Sequence, residues 1–182
     1  HPRVRRQRQM CIRDSIRIAV PYTGMIVSTR ENASCRERLL HLGISQISGG
    51  SKTSVGGYFN PMPEKEDSAQ FDVSDRRPLD EVIKWLIQLG YLPSFCTACY
   101  GSGRTGDRFM EVCKNQQIHN FCHPNAILTL KEYLEDYASE ETKKLGYDLI
   151  AKEVETLEAD NIKKTVKEDL VKIECGGRDY KF

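Results

Sequence analysis

The sequence has 182 residues, enough for one ordinary domain or for parts of two. Hydrophobic residues make up 39% of the chain and charged residues 29%, which is typical of a globular protein and excludes a disordered one. Every apolar run is shorter than the roughly 18 residues that a membrane-spanning helix requires, so we expect neither a membrane segment nor a membrane partner.

Residues 1–14, HPRVRRQRQMCIRD, form a basic stretch. Such an arm ordinarily indicates attraction to nucleic acid or to a membrane surface. However, RRQRQMCIRD back-translates into a string that resembles a commercial transposase sequencing adapter. We therefore interpret residues 1–14 as an artefact, predict that they are disordered, and expect the natural gene to extend upstream. Without their five arginines and one aspartate the chain has 22 basic and 25 acidic residues, a net charge of −3 instead of +1, so no nucleic-acid surface is expected.

An α/β arrangement is predicted for residues 15–60. Three short runs rich in isoleucine and valine predict buried strands: Ile16–Val20, Gly24–Ser28 and Ile44–Ser48. The first two fit either separate strands or one interrupted strand. Between the last two, Ser34 and Glu37 fit a capping box at a helix start, and Gly43 fits a helix end. This strand–helix–strand order predicts a parallel pair joined by a crossover helix.

Residues 61–182 are predicted to be mostly helical. Residues 51–78, which overlap the start of this segment, are rich in Gly, Pro, Ser and charges, which indicates a long loop that serves as a functional lid or a domain junction. Apolar spacing or charged helical composition then indicates four helices: Leu79–Leu89, Ala126–Tyr137, Glu140–Leu157 and Asn161–Ile173.

Three cysteines, Cys96, Cys99 and Cys122, follow the pattern Cys-x2-Cys-x22-Cys. Because the chain has seven cysteines and no export signal, we expect a cytoplasmic protein whose thiols bind metal or serve catalysis. Three thiolates fit an iron–sulfur cluster with one open iron, or three quarters of a zinc site. For zinc, the candidates for the fourth ligand are Cys113, His119 and His123. Reduced structural cysteines are a third alternative, and the spacing alone leaves all three open.

The glycine-rich stretch after Cys99 contains three charged residues of interest. Its glycines allow a tight turn that aims backbone N–H groups at sulfur. Arg104 and Arg108 are predicted to offset the negative charge of a thiolate-bound cluster, and Asp107 to hold one of them in place. The alternative is a surface turn with an ordinary salt bridge.

Five long stretches carry a resemblance to a known family: IRIAVPYTGMIVSTRE, HLGISQISGGSKTSVGGY, QFDVSDRRPLDEVIKWL, CTACYGSGRTGDRFM and IHNFCHPNAILTLKEYLEDYASEETKK. Together they resemble the radical-SAM tyrosine lyases that mature FeFe-hydrogenase, and the similarity covers residues 16–182. The resemblance is to the C-terminal part of that family. It implies that residues 15–60 are the last strands and helices of a radical-SAM (βα)8 barrel, followed by a mostly helical cluster-binding domain over 61–182.

The resemblance also implies chemistry. The family cleaves tyrosine with a 5′-deoxyadenosyl radical made from S-adenosyl-L-methionine, and makes carbon monoxide and cyanide at a second, auxiliary 4Fe-4S cluster. Its three ligands fall on Cys96, Cys99 and Cys122, which favours iron–sulfur over zinc, and the open iron attaches an additional dangler iron. The product is an iron synthon for the hydrogenase cluster, so other hydrogenase maturases are implied as partners. The Cys-x3-Cys-x2-Cys motif for the cluster that binds S-adenosyl-L-methionine is absent here, and we expect this chain alone to have no lyase activity.

Substrate-binding residues are predicted where two strands end. In a (βα)8 barrel the active site lies at the carboxyl ends of the strands. Arg30 follows one predicted strand, and a guanidinium pairs bidentately with a carboxylate. We predict that Arg30 binds the tyrosine carboxylate, with Ser48 and Ser28 as neutral hydrogen-bonding groups. The alternative is an ion pair of Arg30 with Glu31 or Glu37.

Two other functions compete with this hypothesis. A thiazole-pathway tyrosine lyase shares the barrel chemistry but is expected to lack the Cys-x2-Cys-x22-Cys extension. A non-enzymatic zinc-binding module would bind about one zinc per chain, without iron or acid-labile sulfide.

Overall fold

A computed structural model of the protein describes residues 2–21, 23–59 and 71–182. The chain is a mostly helical α/β structure with the following elements: α1 (Pro2–Ala19), β1 (Ile26–Val27), α2 (Ala33–His41), β2 (Gln46–Ile47), α3 (Leu79–Gln88), α4 (Ala98–Gly101), α5 (Gly106–Lys114), α6 (His119–Asp136), α7 (Glu140–Thr156) and α8 (Asp160–Glu174). It divides into two compact units, residues 1–76 and 77–182, which we describe separately. Among the described residues, none of these helices is both long and apolar enough to cross a bilayer.

The first unit is built on a strand–helix–strand motif. Strands β1 and β2 are parallel, with Ile26 beside Gln46 and Val27 beside Ile47. The apolar residues that the motif buries include Val27, Cys35 and Leu40. The predicted parallel pair with a crossover helix is therefore confirmed, although both strands are shorter than predicted.

The ends of α2 are fixed by two residues. The side chain of Asn32, rather than that of Ser34, caps the first turn, because its Oδ1 accepts the Cys35 N–H at 2.9 Å. The capping box predicted at Ser34 and Glu37 is therefore wrong. Gly43 follows the helix with φ = 88°, a left-handed conformation that favours glycine, and the predicted stop is confirmed.

Two predictions for the start of the chain are wrong. Ile16–Val20 is not a strand, because α1 continues to Ala19, and residues 2–14 belong to the same helix instead of being disordered. The physical reason is composition, since residues 3–14 consist mostly of arginine, glutamine and methionine, which favour helix. Arg13 also donates a hydrogen bond to the Leu42 carbonyl and pairs with Asp14. The origin of residues 1–14 stays a prediction.

A buried ion pair closes the first unit. The Arg36 guanidinium contacts the Asp75 carboxylate, and the two side chains are 0% and 2% exposed. Backbone N–H groups of Ser74 and Asp75 also donate to the Thr29 carbonyl at 3.0 and 2.9 Å. These contacts tie residues 74–75 to the first unit. The two units therefore divide after residue 76, whereas the sequence prediction placed the boundary after residue 60. The predicted loop 51–78 contains no helix in its described parts, and residues 60–70 lie outside the described residues.

The second unit is a bundle in which α6 packs against α7 and α8, and α3 packs against α7. Its centre is formed by fully buried residues of α6 and α8: Ile127, Leu128, Leu130, Leu134, Val166 and Ile173. Gly146 of α7 lies so close to α6 that a Cβ atom there would be 2.4 Å from a methyl carbon of Leu134. The four predicted helices are confirmed, but α6 begins at His119 instead of Ala126, and α4 and α5 were not predicted.

Asp80 of α3 joins three helices of this unit. Its carboxylate accepts the Ser139 Oγ–H at 2.7 Å and the Thr142 Oγ1–H at 3.0 Å, at the start of α7. The Tyr133 hydroxyl of α6 donates to it at 3.5 Å. Burial, followed by the negative charge of Asp80 and this hydrogen bond, raises the pKa of Tyr133 to about 12.

Candidate functional site

The Cys-x2-Cys segment leads into the short helix α4. The Ala98 N–H points at the Cys96 sulfur, with a nitrogen–sulfur distance of 3.4 Å. Cys96 and Cys99 are half-buried free thiols. Cys96 also lines a cavity of about 750 Å³, whose other walls include Asn125 and Tyr133 of α6 and Tyr180. The segment is therefore accessible and presents a backbone donor to sulfur, although the donor is Ala98 and not one of the glycines after Cys99.

Cys122 lies in the first turn of α6. The residue as a whole is exposed, but protein atoms surround part of its thiol. This partial burial is the main cause that raises the pKa of Cys122. The charges of Cys99, Cys96 and Cys113 raise this pKa further, whereas Arg104 lowers it. The structure thus groups the three predicted ligands with Cys113 within electrostatic reach of one another.

These thiols lie near one another, but they are not close enough together to form a ligand shell around a metal ion. Within the described residues, no three His, Cys, Asp or Glu side chains are placed to hold a metal ion. The donor set nevertheless fits an iron–sulfur cluster, because all the grouped ligands are sulfur. Of the three candidates for a fourth zinc ligand, Cys113 lies in this group, while His123 Nε2 contacts a Glu153 carboxylate oxygen of α7 at 2.8 Å.

Arg104 contacts both parts of the cysteine pattern. Its backbone N–H donates to the Cys99 carbonyl at 2.9 Å, and its guanidinium lies 4.4 Å above the ring of Phe121, the residue before Cys122. Its Nη2 donates to the Phe182 carbonyl at 2.6 Å. A positive charge is therefore present near Cys122, and its role beside a cluster stays a prediction.

The expected contact of Asp107 with Arg104 or Arg108 is wrong. Arg104 is turned towards Phe121 and Phe182, and in the described part of the chain Asp107 forms no ion pair with either arginine. Asp107 lies in the first turn of α5, where the helix dipole favours a carboxylate. The roles of Asp107 and Arg108 near a cluster stay predictions.

The predicted substrate residues follow the two strands of the first unit. Ser28 and Arg30 come after β1 and Ser48 comes after β2, so the parallel register places them at one edge of the sheet. Ser28 Oγ accepts the Arg30 N–H at 3.2 Å, and the Arg30 guanidinium lies 4.3 Å above the Phe71 ring. Glu37 lies instead 3.9 Å from His41 Nε2. The arginine therefore contacts Phe71 and Ser28, and its role stays a prediction.

Arg36 is a functional candidate that the sequence prediction missed. Besides pairing with Asp75, it donates to the Ser48 carbonyl and so fixes the end of β2. Its signal was available, because Arg36 lies on the same face of α2 as Leu39 and Leu40. A charged residue on an apolar helix face requires a buried partner.

Two comparisons show what the first part of the chain resembles. The family described as Biotin and Thiamin Synthesis associated domain matches residues 7–92, starting within the segment that we interpret as an artefact. The 2-iminoacetate synthase of Escherichia coli (strain K12) is 39% identical over 64 residues, which is 35% of this chain and 16% of that protein. The chain thus resembles this domain and part of that enzyme.

The particular protein that the chain resembles is HydG. A crystal structure of HydG, a maturase of the [FeFe]-hydrogenase, is 53% identical and matches with a TM-score of 0.84 over 92% of this chain and 36% of that chain. HydG from Carboxydothermus hydrogenoformans is 34% identical with a TM-score of 0.59, over 85% of this chain and 31% of that chain. The predicted resemblance is confirmed. The chain spans about a third of these relatives.

Proposed function

We propose that the chain is the C-terminal part of a HydG-type radical-SAM tyrosine lyase. The observation that carries this proposal is the 53% identity with HydG over 92% of the chain. The grouped thiols of the Cys-x2-Cys-x22-Cys pattern support it. The first unit would contribute the last strands of a (βα)8 barrel, and the second would be a helical auxiliary iron–sulfur domain. The protein would work in the cytoplasm and supply an iron synthon to other hydrogenase maturases.

In this proposal Cys96, Cys99 and Cys122 hold a 4Fe-4S cluster. Such a cluster, bound by three cysteines, would supply one iron that stays open to a non-protein ligand. The protein's own part is to present three thiolates, to direct the Ala98 N–H at the Cys96 sulfur, and to keep the Arg104 charge nearby. The additional iron that becomes the synthon is cargo.

Tyrosine is the proposed substrate of the first unit. Arg30 would pair with its carboxylate, while Ser28 and Ser48 would donate or accept single hydrogen bonds. Arg36 would keep Ser48 in place through the Ser48 carbonyl. Cleavage of tyrosine would give p-cresol and a dehydroglycine fragment, the source of carbon monoxide and cyanide. The second 4Fe-4S cluster and S-adenosyl-L-methionine would belong to a part of the full protein with the Cys-x3-Cys-x2-Cys motif, so this chain alone would be inactive.

The cluster assignment is tested by anaerobic reconstitution with iron and sulfide. The chain is expected to bind about four irons with a matching sulfide content, and Cys96→Ala and Cys122→Ala are expected to lose most of both. Cys113→Ala is the matched control and should keep its iron and its EPR signal. About one zinc per chain, with no iron or sulfide, would instead establish a zinc module.

Product analysis in a full-length protein with these residues tests the division of labour. Cys96→Ala or Cys122→Ala should still release p-cresol but no carbon monoxide, because the auxiliary cluster acts after tyrosine cleavage. Equal loss of both products would show that the cysteines do not form a second reaction site that acts after tyrosine cleavage.

The Arg30 assignment is tested by tyrosine affinity in the same full-length protein. Arg30→Ala should weaken binding roughly 10- to 100-fold, because charge-assisted hydrogen bonds contribute about 1.5–3 kcal/mol. Arg38→Ala removes an exposed arginine of α2 and serves as the control. An unchanged dissociation constant in Arg30→Ala would sink the assignment.

The similarity to 2-iminoacetate synthase favours a second candidate, a thiazole-pathway tyrosine lyase. That function would use the first unit in the same way but would make no carbon monoxide. The two candidates are separated by the full-length protein's products, since p-cresol without carbon monoxide or bound auxiliary iron would support the second.

A further inference from the structure

The chain after α8 returns along α6 to the cysteine region. We call residues 178–182 the return segment. It begins at Arg178, whose Nε and Nη2 donate to the two carboxylate oxygens of Asp136 at 2.9 and 2.5 Å. It reaches Asn125, whose side chain contacts Phe182. Asp136 and Asn125 are eleven residues apart on α6, so the segment follows about 16 Å of the helix.

Asn125 binds the backbone of the return segment with both ends of its amide. Its Oδ1 accepts the Phe182 N–H at 2.8 Å, and its Nδ2 donates to the Phe182 carbonyl at 3.4 Å. The residue is only 2% exposed. Because the Asn125 amide both accepts a hydrogen bond from Phe182 and donates one to it, the backbone of Phe182 is held in a single orientation.

The Phe182 carbonyl is also the acceptor for Arg104. One carbonyl thus receives hydrogen bonds from a helix residue, Asn125, and from the loop that carries Cys99. At the other end of the loop, the Phe95 N–H donates to Thr129 Oγ1 of α6 at 3.2 Å. The Cys-x2-Cys loop is therefore tied to α6 before Cys96 and after Cys99.

These ties matter because the chain between the loop and α6 cannot fix their relative position. Helix α5, which forms most of that connection, has no buried residue. The connection between Cys99 and Cys122 is therefore weakly packed, and the two residues can move apart unless other contacts hold them. The contacts that do so include the hydrogen bond from Phe95 to Thr129 and those that join Arg104 and Asn125 through Phe182.

We infer that Asn125 is a positioning residue for cluster binding. Through the Phe182 backbone and Arg104 it holds the loop of Cys96 and Cys99 over the turn that carries Cys122, before any cluster binds. A loop that is already held near the Cys122 turn loses less conformational entropy when the three thiols close around a cluster. The inference rests on the proposed function for the identity of the cluster, but the tie itself exists in the chain without a cluster.

The test compares Asn125→Ala with Asn161→Ala, which removes an exposed asparagine of α8. In the cluster-free 182-residue chain, amides of residues 96–104 are expected to exchange with deuterium about tenfold faster in Asn125→Ala, because a buried hydrogen-bonded pair is broken. After anaerobic reconstitution, its iron should be lost to a chelator about tenfold faster, with a broadened EPR signal. Circular dichroism at 222 nm verifies that the helices are intact.

A second variant, Arg104→Met, removes the hydrogen bond from the loop to the Phe182 carbonyl. It should show the same faster amide exchange at residues 96–104 and the same faster iron loss. It keeps the test decisive if Asn125→Ala unfolds. Exchange and iron retention equal to those of Asn161→Ala, in both variants, would overturn the inference. A wild-type chain that binds no iron would refute the proposed function instead, and the exchange comparison would then decide whether the tie exists.

Discussion

Replacing Arg36 by methionine is expected to destabilise the first unit strongly. The Arg36 side chain is 0% exposed and pairs with Asp75, which is 2% exposed, and it also donates to the Ser48 carbonyl. Removing one partner of a buried ion pair costs about 3–5 kcal/mol, because the other charge loses its compensation away from water. The loss should be greatest around β1 and β2, where these contacts meet.

A double-mutant cycle identifies the cause. Arg36→Met combined with Asp75→Leu removes both charges, and replacing a buried pair by apolar residues is often neutral. We therefore expect the double variant to be more stable than Arg36→Met alone, with a coupling energy of about 2–3 kcal/mol. Glu37→Gln is the matched control in α2, because it removes a contact with His41 between side chains that are 44% and 56% exposed. Its cost should stay below about 1 kcal/mol.

The assay is hydrogen exchange of two defined amides. The Ser48 N–H donates to the Val27 carbonyl at 3.0 Å and the Asp75 N–H to the Thr29 carbonyl at 2.9 Å, so both report on opening of the first unit. Trp85 lies in the second unit, and its unchanged fluorescence verifies that this unit remains folded. A change below about 1 kcal/mol in Arg36→Met, or additive costs in the double variant, would refute the reasoning.

Two further predictions concern Asp80 in the second unit. Asp80→Ala should lower the free energy of unfolding by about 2 kcal/mol in urea titrations, because the Ser139 and Thr142 hydroxyls lose their acceptor at the start of α7; a change no larger than that of an exposed carboxylate such as Glu158→Gln would contradict it. The Tyr133 pKa is raised from 10.0 to about 12, so stability that is complete below pH 10 should fall as the pH rises towards 12, since the folded state resists deprotonation. Tyr133→Phe should flatten this alkaline loss relative to the wild type, and an identical slope would show that Tyr133 does not titrate with a raised pKa.

The elements that could be predicted from the sequence are those with a local pattern. The strand–helix–strand motif follows from two short runs of β-branched residues around an amphipathic helix that ends at Gly43. The bundle helices α3, α7 and α8 follow from apolar spacing. Ile16–Val20 misled the prediction because its β-branched residues favour a strand in isolation, whereas the helix-forming residues before them extend α1 to Ala19.

The contacts that could not be predicted join residues far apart in the chain. Arg36 and Asp75 are 39 residues apart, and Asn125 and Phe182 are 57 apart. The apolar face of α2 indicates that Arg36 needs a buried partner, but no local pattern identifies Asp75 as that partner or pairs Asn125 with Phe182. The spacing of Cys96, Cys99 and Cys122 indicated a shared site, but it gave no information about what holds them together.

The start of α6 shows how a local misreading affects the site. A helix predicted to begin at Ala126 leaves Cys122 in a loop, which is the natural reading because Pro124 lacks an N–H and disfavours a helix interior. In the structure α6 begins at His119, and Pro124 is buried within it. Cys122 therefore projects from a helix anchored in the bundle, whereas Cys96 and Cys99 lie on a separate segment. Because only Cys122 is on an anchored helix, the segment with Cys96 and Cys99 must be held near that helix by other contacts. We propose that Asn125 and Arg104 provide these contacts.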